Sequence, residues 1–202
     1  MAYTDAIYDG TINDNYNYLV KEKPFKSRFI NYHLPKLREY ASRCESITEF
    51  GVDAVNSTWA LLDGKPERMV SIDPMNEKAP KIQDLALELA KKEGIDYKFI
   101  QKYSTDIKIE ETDLLFIDSG HNYKCLSTEL NMHADKVKKY IIFHDMNMPE
   151  LKKAIADVLG LSEISNSSFM DSFSGEQKDW ELIYKTQESE GFWVIKRKGI
   201  KE

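Results

Sequence analysis

The segment ITEFGVDAVNSTWALL, residues 47–62, decides the fold class. It starts as a short apolar run, passes through the single glycine Gly51, and continues into a pattern typical of a helix. A strand, a glycine turn and a helix in this order are the first unit of an open parallel α/β sheet. Ligands of such sheets bind outside the carboxyl ends of the strands, where the strand order reverses. We therefore expect the turn at Gly51 to border a binding site.

Further short apolar runs follow, with helical patterns between them. They are RMVSID (68–73), YKFIQ (97–101), DLLFID (113–118) and KYIIFH (139–144). Such runs are typical of strands buried on both faces of a parallel sheet. Crossover helices are predicted at 81–94, 123–139 and 149–160, and a terminal hairpin at 180–186 and 191–197. The pattern predicts an α/β fold with a Rossmann-like, doubly wound, mostly parallel seven-stranded sheet, a C-terminal antiparallel hairpin and N-terminal helices.

Length and composition favour one globular unit. The chain has 202 residues, of which 42% are hydrophobic and 31% are charged. We divide it into an N-terminal helical extension at 1–44, packed on the core, and a main domain at 45–202. The polar, serine-rich segment 161–179 is longer than an ordinary connection, and we expect it to cover an acceptor pocket.

Charge and hydropathy limit the class of partner. The net charge is −6, with acids and bases mixed along the chain, which argues against a nucleic-acid surface. No apolar run reaches the length of a membrane span, and the first residues carry no signal-peptide pattern. We expect a cytoplasmic protein that acts on a small-molecule acceptor, with no nucleic-acid or membrane partner. A homodimer is left open.

The turn after the first strand has the features of a nucleoside site. Gly51 allows the backbone to approach a ligand closely, and Asp73 ends the next strand at the position of an acid that binds ribose hydroxyls. Capping of the following helix is expected from one of three residues, namely Asn56, Ser57 and Thr58. The alternative is structural, with Gly51 making only a turn and Asp73 capping only a strand.

The negative charge of the turn limits the class of ligand that it can bind. The turn has no phosphate-binding glycine and lysine pattern, and Glu49 and Asp53 are two carboxylates that would face a pyrophosphate. The same acids suit a nucleoside with a sulfonium and an ammonium group. S-adenosylmethionine is such a ligand, and we predict it as the cofactor.

Several segments carry a resemblance to a known family. ITEFGVDAVNSTWALL, MVSIDP, DLLFIDSGHNYKCLSTEL, YIIFHDMN and the terminal WELIYKTQESEGFWVIKR resemble class I S-adenosylmethionine-dependent methyltransferases. The likeness is closest to the subgroup that includes macrocin-type O-methyltransferases and cephalosporin hydroxylase-like proteins. It implies that Glu49 and Gly51 belong to the first motif, that Asp73 binds the ribose, and that YSTD lies near the adenine. The predicted cofactor-binding residues are Glu49, Gly51, Asn56, Ser57, Asp73, Ser104, Thr105, Asp106 and Asp118.

The fourth and fifth predicted strands end in potential ligands, Asp118 and His121 on one and His144 and Asp145 on the other. Adjacent strand ends are about 5 Å apart, so these side chains are expected to converge. Carboxylates and imidazole suit a divalent cation that lowers the pKa of a substrate hydroxyl. The resemblance implies magnesium on Asp118 and Asp145, while His144 stands where some relatives have glutamate and leaves the metal open. The predicted metal ligands are Asp118, His144 and Asp145.

Two alternatives to the metal remain. His144 or His121 could act as a general base without a metal, or all four residues could be structural. The predicted catalytic residues are His144, Asp145 and His121. The other histidines, His33 and His133, are expected at the surface of helices away from the strand ends.

These features predict an S-adenosylmethionine-dependent methyltransferase that methylates a hydroxyl of a small molecule, such as a sugar or a natural product, with help from Mg²⁺ or another divalent cation. The alternative is a cofactor-binding protein of the same fold with other chemistry, either hydroxylase-like or a nucleotide-sugar enzyme.

Overall fold

The computed structural model describes residues 10–21, 30–74, 80–161 and 179–200. Apart from its two end residues, the predicted cover at 161–179 lies outside the described residues. Along the described ranges, no helix has the length and apolar character needed to cross a bilayer.

Within the described residues, the centre of the fold is a single sheet of seven strands in the order β3-β2-β1-β4-β5-β7-β6. The strands are β1 Ser46–Phe50, β2 Arg68–Ile72, β3 Asp96–Ile100, β4 Thr112–Ile117, β5 Val137–His144, β6 Trp180–Thr186 and β7 Phe192–Arg197. Strands β1 to β5 run parallel, and β7 lies antiparallel between β5 and β6. The mostly parallel sheet with an antiparallel terminal hairpin is therefore confirmed.

The strand order reverses between β1 and β4. The chain builds outward from β1 to β3, then crosses back and builds outward from β4 to β5. The carboxyl ends of β1 and β4 are neighbours, with Phe50 in register with Ile117. The loop after β1 thus stands at the reversal point, where parallel α/β sheets bind ligands.

Helices cover both faces of the sheet. They are α1 Ile12–Lys21, α2 Leu34–Ala41, α3 Asn56–Asp63, α4 Pro80–Lys92, α5 Tyr123–His133 and α6 Pro149–Leu159. One apolar core lies between the sheet face that carries Ile47 and Leu114 and the four helices α1, α2, α3 and α4. A second core lies between the opposite face, which carries Leu115, and the helices α5 and α6. Side chains of a strand alternate between the faces, so strands buried on both sides are apolar throughout.

Two element boundaries differ from prediction. The helix predicted over 123–139 ends at His133, a 3-10 turn follows at Ala134–Lys136, and β5 begins at Val137. Val137 is buried, while Lys138 and Lys139 point toward Glu111 and Asp113 and pair with them. Because the two consecutive lysines interrupt the apolar pattern, the sequence did not indicate that β5 begins at Val137.

Helix α1 was missed by sequence analysis as a separate element. The backbone N–H of Asp14 donates to the Thr11 hydroxyl at 3.1 Å, and the backbone N–H of Thr11 donates to the Asp14 carboxylate at 2.8 Å. This reciprocal pair is a capping box with Asp in place of Glu. It fixes the start of a helix that packs Ile12, Tyr16 and Leu19 into the core.

Candidate functional site

Gly51 sets the distance between the loop after β1 and the loop after β4. Its φ is +83°, and a Cβ at this position would lie 2.0 Å from the carbonyl oxygen of Asp118. Its N–H donates to the carbonyl of Ile72 at 3.0 Å. Only glycine fits such an approach, because any side chain would collide with backbone. Gly51 therefore brings the end of β1 against the end of β4.

The carboxyl group of Glu49 lies inside the protein. It is fully buried and accepts hydrogen bonds from Ser57 at 2.6 Å, Thr58 at 2.8 Å and Ser71 at 2.5 Å. Burial raises its pKa to about 7, and the three hydroxyl groups only partly oppose that shift. Glu49 ties β1 to β2 and to the first turn of α3, so any effect on a ligand would be indirect.

Asp73 holds the loop after β1 from the neighbouring strand end. Its carboxylate accepts from the backbone N–H of Val52 at 2.7 Å and of Asp53 at 3.3 Å. Asp53 and Val55 have φ values of 44° and 68°, a conformation that β-branched residues such as valine rarely adopt. The predicted ribose ligand is thus also the residue that fixes a strained loop.

The predicted cap of α3 is wrong. The N-cap position is Val55, whose apolar side chain makes no capping hydrogen bond. The Ser57 and Thr58 hydroxyls donate to Glu49 instead, and the Asn56 side chain donates to Asn31 at 3.0 Å. Ser57 and Thr58 lie inside the first turn of the helix and not before it, and their hydroxyl groups are directed to the buried carboxyl of Glu49.

The predicted adenine loop is a 3-10 turn at Ser104–Asp106. Ser104 is buried and its hydroxyl donates to Glu129 of α5, whereas Thr105 is half-buried and Asp106 is exposed. Glu129 also accepts from Ser119 at 2.6 Å, and burial raises its pKa. Glu129, which sequence analysis missed, therefore joins this turn to the loop after β4.

Four predicted residues do come together at the ends of β4 and β5. We call Asp118, His121, His144 and Asp145 the strand-end cluster. His121 Nε2 lies 2.8 Å from the Asp145 carboxylate and 3.4 Å from that of Asp118. His144 Nδ1 lies 3.2 Å from Asp118 and 3.4 Å from Asp145. Each imidazole thus bridges both carboxylates.

The charges of the strand-end cluster support one another. The hydrogen bonds to Asp118 and Asp145 raise the pKa of His121 to about 10. Burial lowers the pKa of His144, but the same two carboxylates outweigh it and raise the value to about 10. For both acids, burial alone would raise the pKa, and the imidazoles hold it below the usual range. Because the two carboxylates raise the pKa of both imidazoles, neither histidine is a ready base at neutral pH.

The donor set of the strand-end cluster also fits a divalent cation. Asp118, His121 and Asp145 each offer a ligand atom, and these atoms lie within 4.8 Å of one another. These three residues would hold such an ion. Mixed carboxylate and imidazole ligands favour a transition metal such as Mn²⁺ over Mg²⁺. Half of the His121 side chain is exposed, which leaves a path from solvent.

Two histidines expected at the surface are buried. His133 is fully buried, and its Nε2 donates to the Ser104 carbonyl at 3.0 Å. His33 is 2% exposed, and its ring lies edge-on to that of His144, with centroids 5.6 Å apart. The surface prediction is therefore wrong for both residues. Their polar neighbours in sequence gave no sign of the distant elements that bury them.

Solved structures of known proteins share this fold. An O-methyltransferase from Streptomyces achromogenes, TomG, in complex with SAM, superimposes with a TM-score of 0.60 at 12% identity, covering 95% of this chain and 91% of that one. An O-methyltransferase from Bacillus cereus in complex with SAH gives 0.56 at 15% identity, covering 83% and 81%. The chain has the fold of the class I S-adenosylmethionine-dependent methyltransferases. The fold that the sequence resemblance implied is therefore confirmed.

The same fold occurs with other acceptors. The ribosomal protein L11 methylase from Lactobacillus delbrueckii subsp. bulgaricus has a TM-score of 0.53 at 13% identity, covering 83% of this chain and 79% of that one. No protein-family model matches the chain, and no curated protein matches its sequence. The methyltransferase fold therefore leaves the acceptor to be argued from the site.

Proposed function

We propose that this protein is an S-adenosylmethionine-dependent methyltransferase that acts on a hydroxyl group of a small molecule, such as a sugar or a natural product. One observation carries the proposal. The strand-end cluster lies beside the loop after β1, where Gly51 touches the backbone of Asp118. A nucleoside site and a site for acid, base or metal chemistry would then share one edge of the sheet.

The cofactor would lie across the loop after β1. Asp73 holds this loop in its conformation through two backbone N–H groups and stands where an acid meets ribose hydroxyls. Asp118 and the turn at Ser104–Asp106 would border the sulfonium and the adenine, respectively. Glu49 would contribute indirectly, because its oxygens accept from three hydroxyl groups of the protein.

Methyl transfer from sulfur to oxygen is a direct displacement. The C–S bond breaks as the O–C bond forms, S-adenosylhomocysteine leaves, and the acceptor hydroxyl gives its proton to solvent. A divalent cation, when bound, would supply the charge that lowers the pKa of that hydroxyl. Asp118, Asp145 and the histidines would hold the cation and orient the acceptor. The two carboxylates raise the pKa of both imidazoles, which disfavours a histidine base at neutral pH, and a bound cation would have to displace the imidazole protons.

Cofactor choice is tested by ligand-induced stabilisation. S-adenosylhomocysteine at a hundredfold excess over its dissociation constant should stabilise the fold by about 2.7 kcal/mol. Thermal shift and calorimetry would compare it with NAD and a nucleotide sugar. Stabilisation by NAD or the nucleotide sugar, and not by S-adenosylhomocysteine, would replace the proposed function with another use of the same sheet.

Acceptor and metal are tested together by activity. Candidate sugars and phenols would be screened for formation of S-adenosylhomocysteine with Mn²⁺, with Mg²⁺ and after chelation by EDTA. We expect turnover that EDTA abolishes and Mn²⁺ restores. Full activity in metal-free enzyme would eliminate the metal and leave the methyltransferase proposal standing on the cofactor result alone.

A further inference from the structure

The turn between β6 and β7, residues 187–191, accepts hydrogen bonds through its carbonyl groups from residues that adjoin the strand-end cluster. We call it the carbonyl turn. Its first and fourth carbonyls accept from the side chain and the backbone N–H of Asn147, each at 2.8 Å. Its fifth accepts from the backbone N–H of Met146 at 3.2 Å. Its second and third accept from His33 Nε2 at 3.0 and 3.1 Å. All five consecutive carbonyls therefore point at residues next to the cluster.

The carbonyl turn also encloses a strained residue of the cluster. Asp145 has a φ of 57°, in the left-handed region, and it lies directly before the two residues held by the turn. Gly191 approaches so closely that a Cβ there would lie 2.7 Å from the backbone nitrogen of Asn147. Strained backbone of this kind persists when surrounding contacts fix it. Here those contacts are the carbonyl turn.

His33 links the turn to His144, the cluster residue at the end of β5. Its ring stacks on Phe192 with centroids 4.8 Å apart and lies edge-on to His144. Phe192 is the partner of His144 in the sheet register. A carbonyl oxygen only accepts, so Nε2 of His33 carries the proton and donates to both carbonyls. Burial lowers the pKa of His33 to about 4, so the neutral ring keeps this tautomer.

We propose that His33 and the carbonyl turn position His144 and Asp145, and so set the geometry of the strand-end cluster. This inference rests on the proposed function for its metal readout. His33 is a positioning residue here, since it contacts the His144 ring and the turn but no carboxylate of the cluster. Residues that orient metal ligands typically affect metal affinity by about 10- to 100-fold.

The first test uses a matched pair of glycines. Gly191→Ala adds a methyl group with no room for it. Gly199→Ala changes a glycine of similar φ, +81°, where an added Cβ would meet no atom of the described residues within 4 Å. We expect Gly191→Ala to weaken Mn²⁺ binding about tenfold or more and to speed hydrogen exchange of the Met146 and Asn147 amides. S-adenosylhomocysteine affinity should stay within about twofold. Gly199→Ala should change none of the three.

The second test separates the N–H of His33 from its ring. His33→Phe keeps an aromatic ring and removes the donor to the carbonyls of Glu188 and Ser189, while His33→Gln restores a donor near the position of Nε2. We expect His33→Phe to shift the ring resonances of His144 in a ¹H–¹⁵N spectrum and to weaken Mn²⁺ binding. His33→Gln should recover part of the affinity.

The outcomes separate this inference from the proposed function. If wild-type protein binds Mn²⁺ and folded Gly191→Ala and His33→Phe bind it equally well, the positioning role is wrong. If wild-type protein does not bind Mn²⁺, the metal part of the proposed function fails, and amide exchange with the His144 resonances decides the positioning role. Unchanged exchange and unchanged resonances would overturn it. Should either variant fail to fold, Asn147→Ala provides the same measurement with loss of one side-chain hydrogen bond.

Discussion

Glu49 and Asp145 are acids at strand ends on the same edge of the sheet, yet they differ in what their oxygens contact. Glu49 accepts from three neutral hydroxyl groups and is fully buried. Asp145 faces two imidazoles, one of them half-exposed. Hydroxyl donors are fixed partners, whereas a proton on imidazole can be replaced by a metal ion. We infer that the half of the edge around β1 and β2 maintains shape and that the half around β4 and β5 performs chemistry.

A substitution at Gly51, where the two halves are in contact, should have the largest effect on stability. Gly51→Ala would bring a methyl group to 2.0 Å from the Asp118 carbonyl oxygen and force both loops apart. We expect a loss of about 4 kcal/mol in the free energy of unfolding, measured by urea denaturation. Gly94→Ala, at φ +79° with nothing within 4 Å, is the matched control and should lose only about 1–2 kcal/mol. Equal losses would mean that the two halves are not joined through Gly51.

The next largest effect is expected on turnover, from a substitution in the half around β4 and β5. Asp145→Asn removes a charge from the strand-end cluster and should lower turnover by about 100-fold or more, since metal and hydroxyl activation are worth several kcal/mol. Affinity for S-adenosylhomocysteine should change little. The control is Asp96→Asn, which alters an exposed acid at the opposite edge of the sheet and should leave turnover unchanged. A similar drop in both variants would remove Asp145 from the reaction.

The half around β4 and β5 could be predicted from the sequence. Continuous apolar runs identified the strands, and acids or histidines directly after them identified the strand-end cluster. The shape-maintaining half was harder, because Glu49 and Asp73 look like ligand residues until the donors around them are located. His33 and the carbonyl turn lie 155 residues apart in the chain. Their contact depends on the docking of β7 beside β5, which no local pattern encodes.

The pH dependence of stability tests the shape-maintaining half. The pKa of Glu49 in the folded protein, about 7, exceeds its ordinary value of 4.5, so folding favours the protonated carboxyl. Stability from this group is complete below pH 4.5 and is lost as the pH rises through 7. Relative to Glu49→Gln, wild-type protein should lose about 2 kcal/mol of unfolding free energy between pH 5 and 7. Parallel pH profiles for the two proteins would mean that the carboxyl is ionised in the fold.

The smallest effect should come from Asp73, which serves both the loop and the proposed ribose. Asp73→Asn keeps a side-chain oxygen for the N–H groups of Val52 and Asp53 and removes the charge, whereas Asp73→Ala removes both. Because hydrogen bonds to a charged acceptor are stronger than neutral ones, Asp73→Asn should cost about 1 kcal/mol of unfolding free energy, and Asp73→Ala about 2 kcal/mol. Asp73→Asn should also weaken S-adenosylhomocysteine binding about tenfold, measured by calorimetry, while Mn²⁺ affinity is retained. Unchanged nucleoside affinity together with the loss of stability would make Asp73 solely a support of the loop. The ribose would then bind elsewhere along the edge, and the division between a supporting half and a reacting half would be sharper than we propose.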